Sequence, residues 1–209
     1  LATTAVAPIA SASTLKDISG HTYKKEITEL VERGVISGYD DNTFKPNKTL
    51  TRSDVVKILG KYLVSLGYDI PTDYKTNIRF NDLSKRSNDE LLKYAALVKD
   101  VGVFNGDQGR LLAGNLLTNE HAANVLVRAF SKIDAFDYIA FVEQQTFFKE
   151  FIDTENITGE SKQSINVIDY YDVVKRDSFN PKQSITRGSF ASMLYNMIEI
   201  DNSSTEKNL

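Results

Sequence analysis

The strongest constraint on the fold is a short motif that occurs three times at an almost constant spacing. Each copy has an apolar residue, a threonine and a few polar residues before an apolar helical stripe, and the copies begin at Leu50, Leu117 and Ile185. The threonines that follow these residues recur at intervals of 67 and 68 residues. A fixed period of this kind is typical of repeat proteins, in which each copy is one supersecondary unit. The sequence therefore predicts three related units.

Each unit has the pattern of a helix, a tight loop and a second helix. The units open with short segments that end at Asp17, Asp82 and Asp153. We expect these aspartates to cap a helix or order a loop, in preference to contacting a ligand. Gly34 and Gly102 follow apolar stripes at the place where a helix C-cap is expected. The third unit has "YYDVVKRDS" here and lacks both glycines of the loop.

The second helix of a unit has a physical start signal. Thr51 can accept a hydrogen bond from the amide of Asp54, whose carboxylate can reach back, and this pattern predicts a capping box. The stretch "DAFDYIAFVEQQTFFKEF" between the second and third units predicts a further helix. Because two helices bury little surface alone, the units should pack together. We expect an all-α body in which three equivalent helices meet around a pseudo-threefold axis.

Composition excludes several classes of site. The net charge is −3 without a long basic run, which argues against nucleic-acid binding. The absence of cysteine excludes disulfides and thiol chemistry. The acidic stretch from Asp40 fails the EF-hand pattern, because Lys45 and Thr51 occupy positions that need Gly and Glu. His21 and His121 lack a metal-ligand spacing, and no catalytic motif is present. We predict no metal, no cofactor and no enzymatic activity.

The two ends of the sequence differ from the repeats. "LATTAVAPIASAS" resembles the tail of a signal peptide with a small-x-small cleavage site, although a flexible Ala/Ser leader is the alternative. No apolar run reaches 18 residues, so no membrane span is predicted. The polar C-terminal stretch is interpreted as the start of a linker. The predicted boundaries are 1–12 for the signal peptide, 13–70, 71–140 and 141–200 for the units, and 201–209 for the linker.

The stretch "LKDISGHTYKKEITELVERGVISGYDDNTFKPNKTLTRSDVVKILGKYL" and its two weaker copies resemble the S-layer homology (SLH) domain, which occurs as triplets in bacterial surface proteins. The resemblance spans roughly residues 15–200. It departs from the family pattern at Asn119, which replaces the motif arginine, and at Gly188–Ser189, which replace Ala-Glu. The resemblance implies a three-pronged helical fold with grooves between neighbouring repeats.

The same resemblance implies a function and a location. SLH triplets bind secondary cell-wall polysaccharide non-covalently, often through a pyruvate ketal on a terminal sugar. They hold downstream S-layer or enzyme domains of the same polypeptide on the cell. The resemblance therefore implies a secreted protein on the cell wall or S-layer of a Gram-positive-type bacterium.

This ligand class gives a reason for Arg52 at the start of a helix. A guanidinium group meets a carboxylate bidentately, and a helix N-terminus adds unpaired backbone amides. We expect Gly38 and Tyr39 to lie near Arg52, with Gly38 allowing a close backbone approach and Tyr39 packing on a sugar. The candidate ligand-binding residues are Arg52, Arg187, Gly38, Tyr39, Thr51, Asp54, Gly106 and Asn119.

The three grooves are not expected to be equal. Asn119 has no guanidinium fork, and the groove of Arg187 is expected to lack the glycine loop, so we expect one or two working grooves. Either arginine could instead be a solvated side chain or could pair with a carboxylate of the neighbouring unit. The alternative function is a helical protein-interaction or lattice-assembly module with degenerate sugar sites. Sugar binding should vanish with Arg52→Ala, whereas self-assembly should tolerate it.

Overall fold

The computed structural model of the chain describes residues 15–146 and 151–206. The described residues form helices joined by loops and contain no strand, which confirms the all-α prediction. The predicted leader at 1–12 and the last residues of the predicted linker, 207–209, lie outside this range. The helices are α1 (Lys24–Glu32), α2 (Arg52–Ser65), α3 (Asp89–Asp100), α4 (Asn119–Ile133), α5 (Tyr138–Glu143), α6 (Gly159–Tyr170) and α7 (Arg187–Glu206).

The helices follow the predicted unit pattern with one insertion. The pairs are α1 with α2, α3 with α4, and α6 with α7, and α5 lies between the second and third pairs. The additional helix is short, because α5 has only six residues, and it crosses the boundary drawn between residues 140 and 141. The end of the stretch that predicted it includes residues 147–150, outside the described part of the chain.

The C-terminal helix is longer than expected. α7 continues through residues 201–206, which the sequence assigned to a linker. Residues 201–209 contain no glycine or proline, so nothing in the local sequence stops the helix. Among the described helices, none combines the length and apolar character needed to cross a membrane.

The first helix of every unit ends in the same turn. After α1, the residue that follows Gly34 donates its amide to the carbonyl of Leu30 at 2.9 Å, which is the long bond of a Schellman motif. Gly34 and Gly102 have the left-handed φ values of 69° and 84° that this motif requires. In the third unit Asp172 takes that position with a φ of 52°. The third unit therefore keeps the turn although it lacks the glycine.

An aspartate orders the loop before the second helix of each unit. Both carboxylate oxygens of Asp17 accept backbone amides, one from Phe44 and one from Lys45, each at 2.8 Å. Lys45 has a φ of 57°, so the carboxylate holds a left-handed bend. This confirms the predicted loop-ordering role. The corresponding bonds join Asp82 to Leu111 and Leu112, and Asp153 to Phe179 and Asn180, all at 2.7 Å.

The three motifs meet in a closed ring of backbone hydrogen bonds. Leu50 donates to Ile185 at 3.0 Å, Ile185 donates to Leu117 at 2.8 Å, and Leu117 donates back to Leu50 at 3.0 Å. All three side chains are buried. Because each motif donates to one neighbouring unit and accepts from the other, no unit satisfies these groups by itself.

The helices also pack between units. The first helix of each unit packs against the second helix of the preceding one, so that α3 lies on α2, α6 on α4 and α1 on α7. Gly60 permits the close approach of α2 and α3, since a Cβ atom there would lie 2.5 Å from the side chain of Tyr94. The hydrophobic core is therefore shared among the units and is continuous through them.

Candidate binding grooves

Three grooves of corresponding construction lie on the surface. Each is formed by the loop that follows the first helix of a unit and by one face of that unit's second helix. Groove A (first unit), groove B (second unit) and groove C (third unit) have volumes of about 260, 450 and 310 Å³. Counted from the motif threonines, the same helix positions line all three: Asp54, Lys57, Ile58 and Lys61 in A; His121, Asn124, Val125 and Arg128 in B; Ser189, Ser192, Met193 and Asn196 in C.

Groove A contains a buried guanidinium group. Arg187, the first residue of α7, is only 8% exposed, and its guanidinium carbon lies 5.0 Å from the ring centroid of Tyr39 and 4.5 Å from that of Phe44. One Nη donates to the carbonyl of Ser37 at 2.6 Å, while Nε is buried without a hydrogen-bond partner. Burial lowers the pKa of Arg187. Two rings and a loop carbonyl therefore hold this cation away from water.

The structure corrects the expected neighbours of Arg52. Gly38 and Tyr39 line the groove of Arg187, because Arg52, Asn119 and Arg187 each reach a loop of another unit. The expectation that the groove of Arg187 lacks a glycine loop is wrong for the same reason. A Cβ atom at Gly38 would lie 2.7 Å from the side chain of Leu15, so this loop needs glycine.

Arg52 belongs to groove B. Its Nε donates to the carbonyl of Leu111 at 2.5 Å, and its guanidinium carbon lies 4.9 Å from the ring centroid of Phe104. Burial lowers the pKa of Arg52. Gly106 lines the same groove with a φ of 79°, and a Cβ atom there would lie 2.6 Å from the carbonyl of Arg110. Arg52 and Gly106 are therefore brought together, as are Arg187 and Gly38.

The helix face of groove B carries polar and charged side chains. Arg128 pairs with Glu160 at one end of the groove. Asn124 donates to the hydroxyl of Ser161 at 3.1 Å. Partial desolvation lowers the pKa of His121, which keeps half of its side-chain surface exposed and corresponds in position to Asp54 of groove A. Groove B therefore differs from groove A in the groups it offers a ligand.

The remaining candidate residues have structural contacts. Thr51 caps α2 by accepting the amide of Asp54, and the carboxylate of Asp54 accepts from the amide and hydroxyl of Thr51, both at 2.9 Å, which confirms the capping box. Asp54 also lines groove A. The buried Asn119 donates to the carbonyls of Phe179 and Asn180 at 3.2 and 2.9 Å. Its amide thus stabilises the loop of the third unit.

The helix N-termini do not offer free amides, contrary to expectation. The amide of Arg52 donates to Asn115 at 2.9 Å and that of Ser53 donates to Ala113 at 3.1 Å, both in the second unit. The third amide is bound by Thr51. The backbone amides at the helix N-termini are therefore already hydrogen-bonded, mostly to the neighbouring unit. Recognition of an anion in these grooves depends on side chains.

The two groove arginines lack carboxylate partners. Within the described residues, no ion pair joins Arg52 or Arg187 to an acid, which excludes the predicted alternative of pairing across units for this part of the chain. Arg79 shows the contrast, since it pairs with Asp73 at 2.8 Å and with Asp100 at 2.6 Å. The described part of the chain also has no cluster of three or more potential metal ligands.

Sequence reasoning missed the groove residues on the second helices, including Lys57, Lys61 and Arg128. A usable signal existed, because these residues lie six and ten positions after the motif threonines and therefore share one face of the helix with the third position. Applying the helical period to the motif itself would have identified them.

Comparison with known proteins identifies a matching domain and several distant relatives. Residues 14–56 match the model of the S-layer homology domain. The chain is 28% identical to the Surface-layer 125 kDa protein of Lysinibacillus sphaericus over 95% of its own length, and 27% identical to the S-layer protein EA1 of Bacillus anthracis over 90%. A stretch of 49 residues is 43% identical to a cellulosome-anchoring protein of Acetivibrio thermocellus.

These relatives are much longer than the chain, which covers 16%, 20% and 11% of them respectively. The resemblance inferred from the repeated motif is confirmed. Residues 14–56 thus carry a match to the S-layer homology domain, and over most of its length the chain is homologous to bacterial surface-layer proteins.

Proposed function

We propose that the three units form a pseudo-threefold body that anchors a longer exported protein to the cell wall without a covalent bond. The ligand is an anionic secondary cell-wall polysaccharide, bound in the grooves through a carboxylate such as a pyruvate ketal. The closed ring formed by Leu50, Leu117 and Ile185 supports the threefold arrangement. The relation to S-layer proteins and to a protein named for anchoring supports the role.

The buried guanidinium of Arg187 carries the proposal. Removing a cation from water costs free energy, and the lowered pKa of Arg187 shows that the nearby Tyr39 and Asp54 offset this cost only in part. An arriving carboxylate would recover part of this cost by pairing with the fork of donors. Arg187 lines groove A, where such a ligand would lie.

The surroundings of Arg187 fit an acidic sugar. Lys57 and Lys61 line groove A, where they share the carboxylate of Glu90 at 3.4 and 2.8 Å. The half-buried ring of Tyr39 lies at the other wall, with the ammonium of Lys45 at 4.4 Å from its centroid. Cations would attract the carboxylate, and an aromatic ring can pack on the apolar face of a sugar.

Groove B offers a second site of the same kind. Arg52 is half-buried beside Phe104, and Arg128 adds a second guanidinium group at the far end. The larger volume of groove B accommodates more than a terminal sugar unit. We propose that groove A takes the charged terminus and that groove B binds the same ligand class, so that two sites hold one wall through avidity.

Calorimetric titration with a synthetic probe tests the proposal. The probe is the methyl glycoside of an N-acetylhexosamine with a 4,6-pyruvate ketal, and its methyl ester serves as the uncharged control. We expect the acid to bind and the ester to bind at least tenfold more weakly. Arg187→Gln should weaken the groove A site at least tenfold and so lower the number of sites titrated, whereas Arg86→Gln, at an exposed arginine outside the grooves, should change neither the affinity nor the number of sites.

Equal binding of the acid and the ester, or unchanged binding by Arg187→Gln, would contradict a carboxylate site at groove A. Concentration-dependent association of the protein that is independent of the probe would instead favour the lattice-assembly alternative. Light scattering of the same samples measures that association directly.

A further inference from the structure

The loop of groove C carries an arginine where the other two loops carry a glycine. Counted from the left-handed turn residue, Gly38 and Gly106 are the fourth residues after Gly34 and Gly102. The fourth residue after Asp172 is Arg176. The third unit therefore has a guanidinium group at the position where the other two loops have a glycine.

This guanidinium group lies where the corresponding group of groove B lies. Arg176 donates through Nη2 to the carbonyl of Phe179 at 3.3 Å. Arg52 donates through Nε to the carbonyl of Leu111 at 2.5 Å. Phe179 and Leu111 occupy corresponding positions. In each unit the loop-ordering aspartate accepts two consecutive backbone amides, and Leu111 and Phe179 donate the first of these in their units. Two arginines from different sequence positions thus donate to carbonyls that occupy corresponding positions in their units.

Groove C is the groove that lacks a motif arginine. Its motif residue is Asn119, whose side-chain amide donates to the same carbonyl of Phe179 at 3.2 Å. Arg176 donates to the same carbonyl. The arginine that the second unit lacks and the arginine that the third unit has gained therefore concern the same groove.

Arg176 is only partly buried, whereas Arg187 is buried, but the two arginines share two features. In each, Nε is buried without a hydrogen-bond partner, and within the described residues no ion pair joins the side chain to an acid. The groove of about 310 Å³ also presents the hydroxyls of Ser189 and Ser192. The charged side chains that line it are Lys175, Arg176 and Glu26, so the groove has an excess of positive charge.

We propose that groove C is a third site for a carboxylate-bearing sugar, in which Arg176 supplies the guanidinium group that Asn119 lacks. The proposal rests on the proposed function, because it assigns the same ligand class to a further groove. It replaces the expectation of one or two working grooves with three, each having a guanidinium group that donates to a loop carbonyl of the groove's own unit.

The test uses a double variant, Arg52→Ala with Arg187→Ala, which removes the arginines of grooves B and A. Titration of the ¹⁵N-labelled double variant with the ketal-bearing methyl glycoside should shift the amides of Ser189 and Ser192 with saturation. Adding Arg176→Gln, or Arg176→Gly, should weaken that binding at least tenfold. Arg176→Gly restores the residue of the other two loops, so a loss of binding with a native spectrum is not a folding effect.

The outcomes separate the two proposals. Binding by the wild type but not by the double variant overturns the third site and leaves the proposed function standing. Binding by the double variant that survives Arg176→Gln overturns the role of Arg176. A wild type that does not bind the probe overturns the proposed function and the third site together. Arg86→Gln in the double variant is the matched arginine control and should retain the binding.

Discussion

At the scale of single residues, the groove arginines have similar environments. Arg187 and Arg52 are desolvated, contact an aromatic ring and donate to a loop carbonyl of another unit. This arrangement fixes the guanidinium group without neutralising it. A residue of this kind contributes little net stability, because its cation–π contacts are offset by desolvation.

The first prediction separates binding from stability at Arg187. Arg187→Met should remove binding at groove A, seen as the loss of one site in the titration, while the free energy of unfolding stays within about 1 kcal/mol of the wild type, because an apolar side chain replaces an unpaired buried charge. Thermal unfolding followed by circular dichroism measures the stability. The control Arg79→Met should lower the midpoint, since it leaves Asp73 and Asp100 without their partner. Equal destabilisation by both variants would contradict this interpretation.

The second prediction concerns pH and His121. Burial lowers the pKa of His121 in the folded state, so the unfolded chain binds the proton more readily. Its contribution to stability is therefore complete above the unfolded pKa of about 6.5 and is lost as the pH falls below that value. The charged groups that act on it are Glu120, Arg52, Lys182 and Arg128.

His121→Gln removes this titration. As the pH is lowered from 7.5 to 5, the unfolding midpoint of the wild type should therefore fall relative to that of the variant. A difference that stays constant over this range would show that His121 does not titrate differently in the two states.

The sequence predicted which residues begin the second helices, but it did not predict which residues they contact. The motif spacing predicted Arg52, Arg187 and the capping box of Thr51 with Asp54. It could not predict that Arg187 faces Tyr39, because that contact depends on which unit packs against which. Local periodicity carries no information on the order of units around a closed ring.

At the scale of elements, the turn after each first helix is kept under different sequences. Gly34, Gly102 and Asp172 all adopt left-handed φ values, and the following amide makes the same backward bond. The sequence predicted this turn only where glycine was present. Asp172 escaped detection because aspartate tolerates the left-handed region without being diagnostic of it.

The third prediction tests this turn with two opposite changes. A Cβ atom at Gly34 meets nothing within 4 Å, so Gly34→Ala should lower the free energy of unfolding by about 1 kcal/mol through backbone strain alone. Asp172→Gly should raise it by about 0.5 kcal/mol, because relief of strain exceeds the added freedom of the unfolded chain. Chemical denaturation measures both. Changes of the same sign would refute the common turn.

At the scale of the whole molecule, the units depend on one another. The motifs exchange backbone hydrogen bonds in a closed ring, and each first helix packs on the second helix of another unit. The threefold repetition predicted packing of the units. It did not predict this exchange, since a period gives the number of units and not their connections in space.

The fourth prediction follows from this exchange. The chain should unfold in one calorimetric transition with equal calorimetric and van't Hoff enthalpies, although it contains three units. Leu117→Ala, at a fully buried ring residue, should lower the single midpoint at a cost of about 2–5 kcal/mol without splitting the transition. Two or more resolved transitions would show that the units fold independently.

The most direct test of the account is co-sedimentation of the chain with purified cell-wall sacculi. Wild type, Arg52→Ala with Arg187→Ala, and the triple variant that adds Arg176→Gln would each be mixed with intact walls and with walls stripped of secondary polysaccharide. We expect the wild type to pellet only with intact walls, the double variant to pellet weakly, and the triple variant to stay in solution. Pelleting of the triple variant at the wild-type level, or of the wild type with stripped walls, would contradict it.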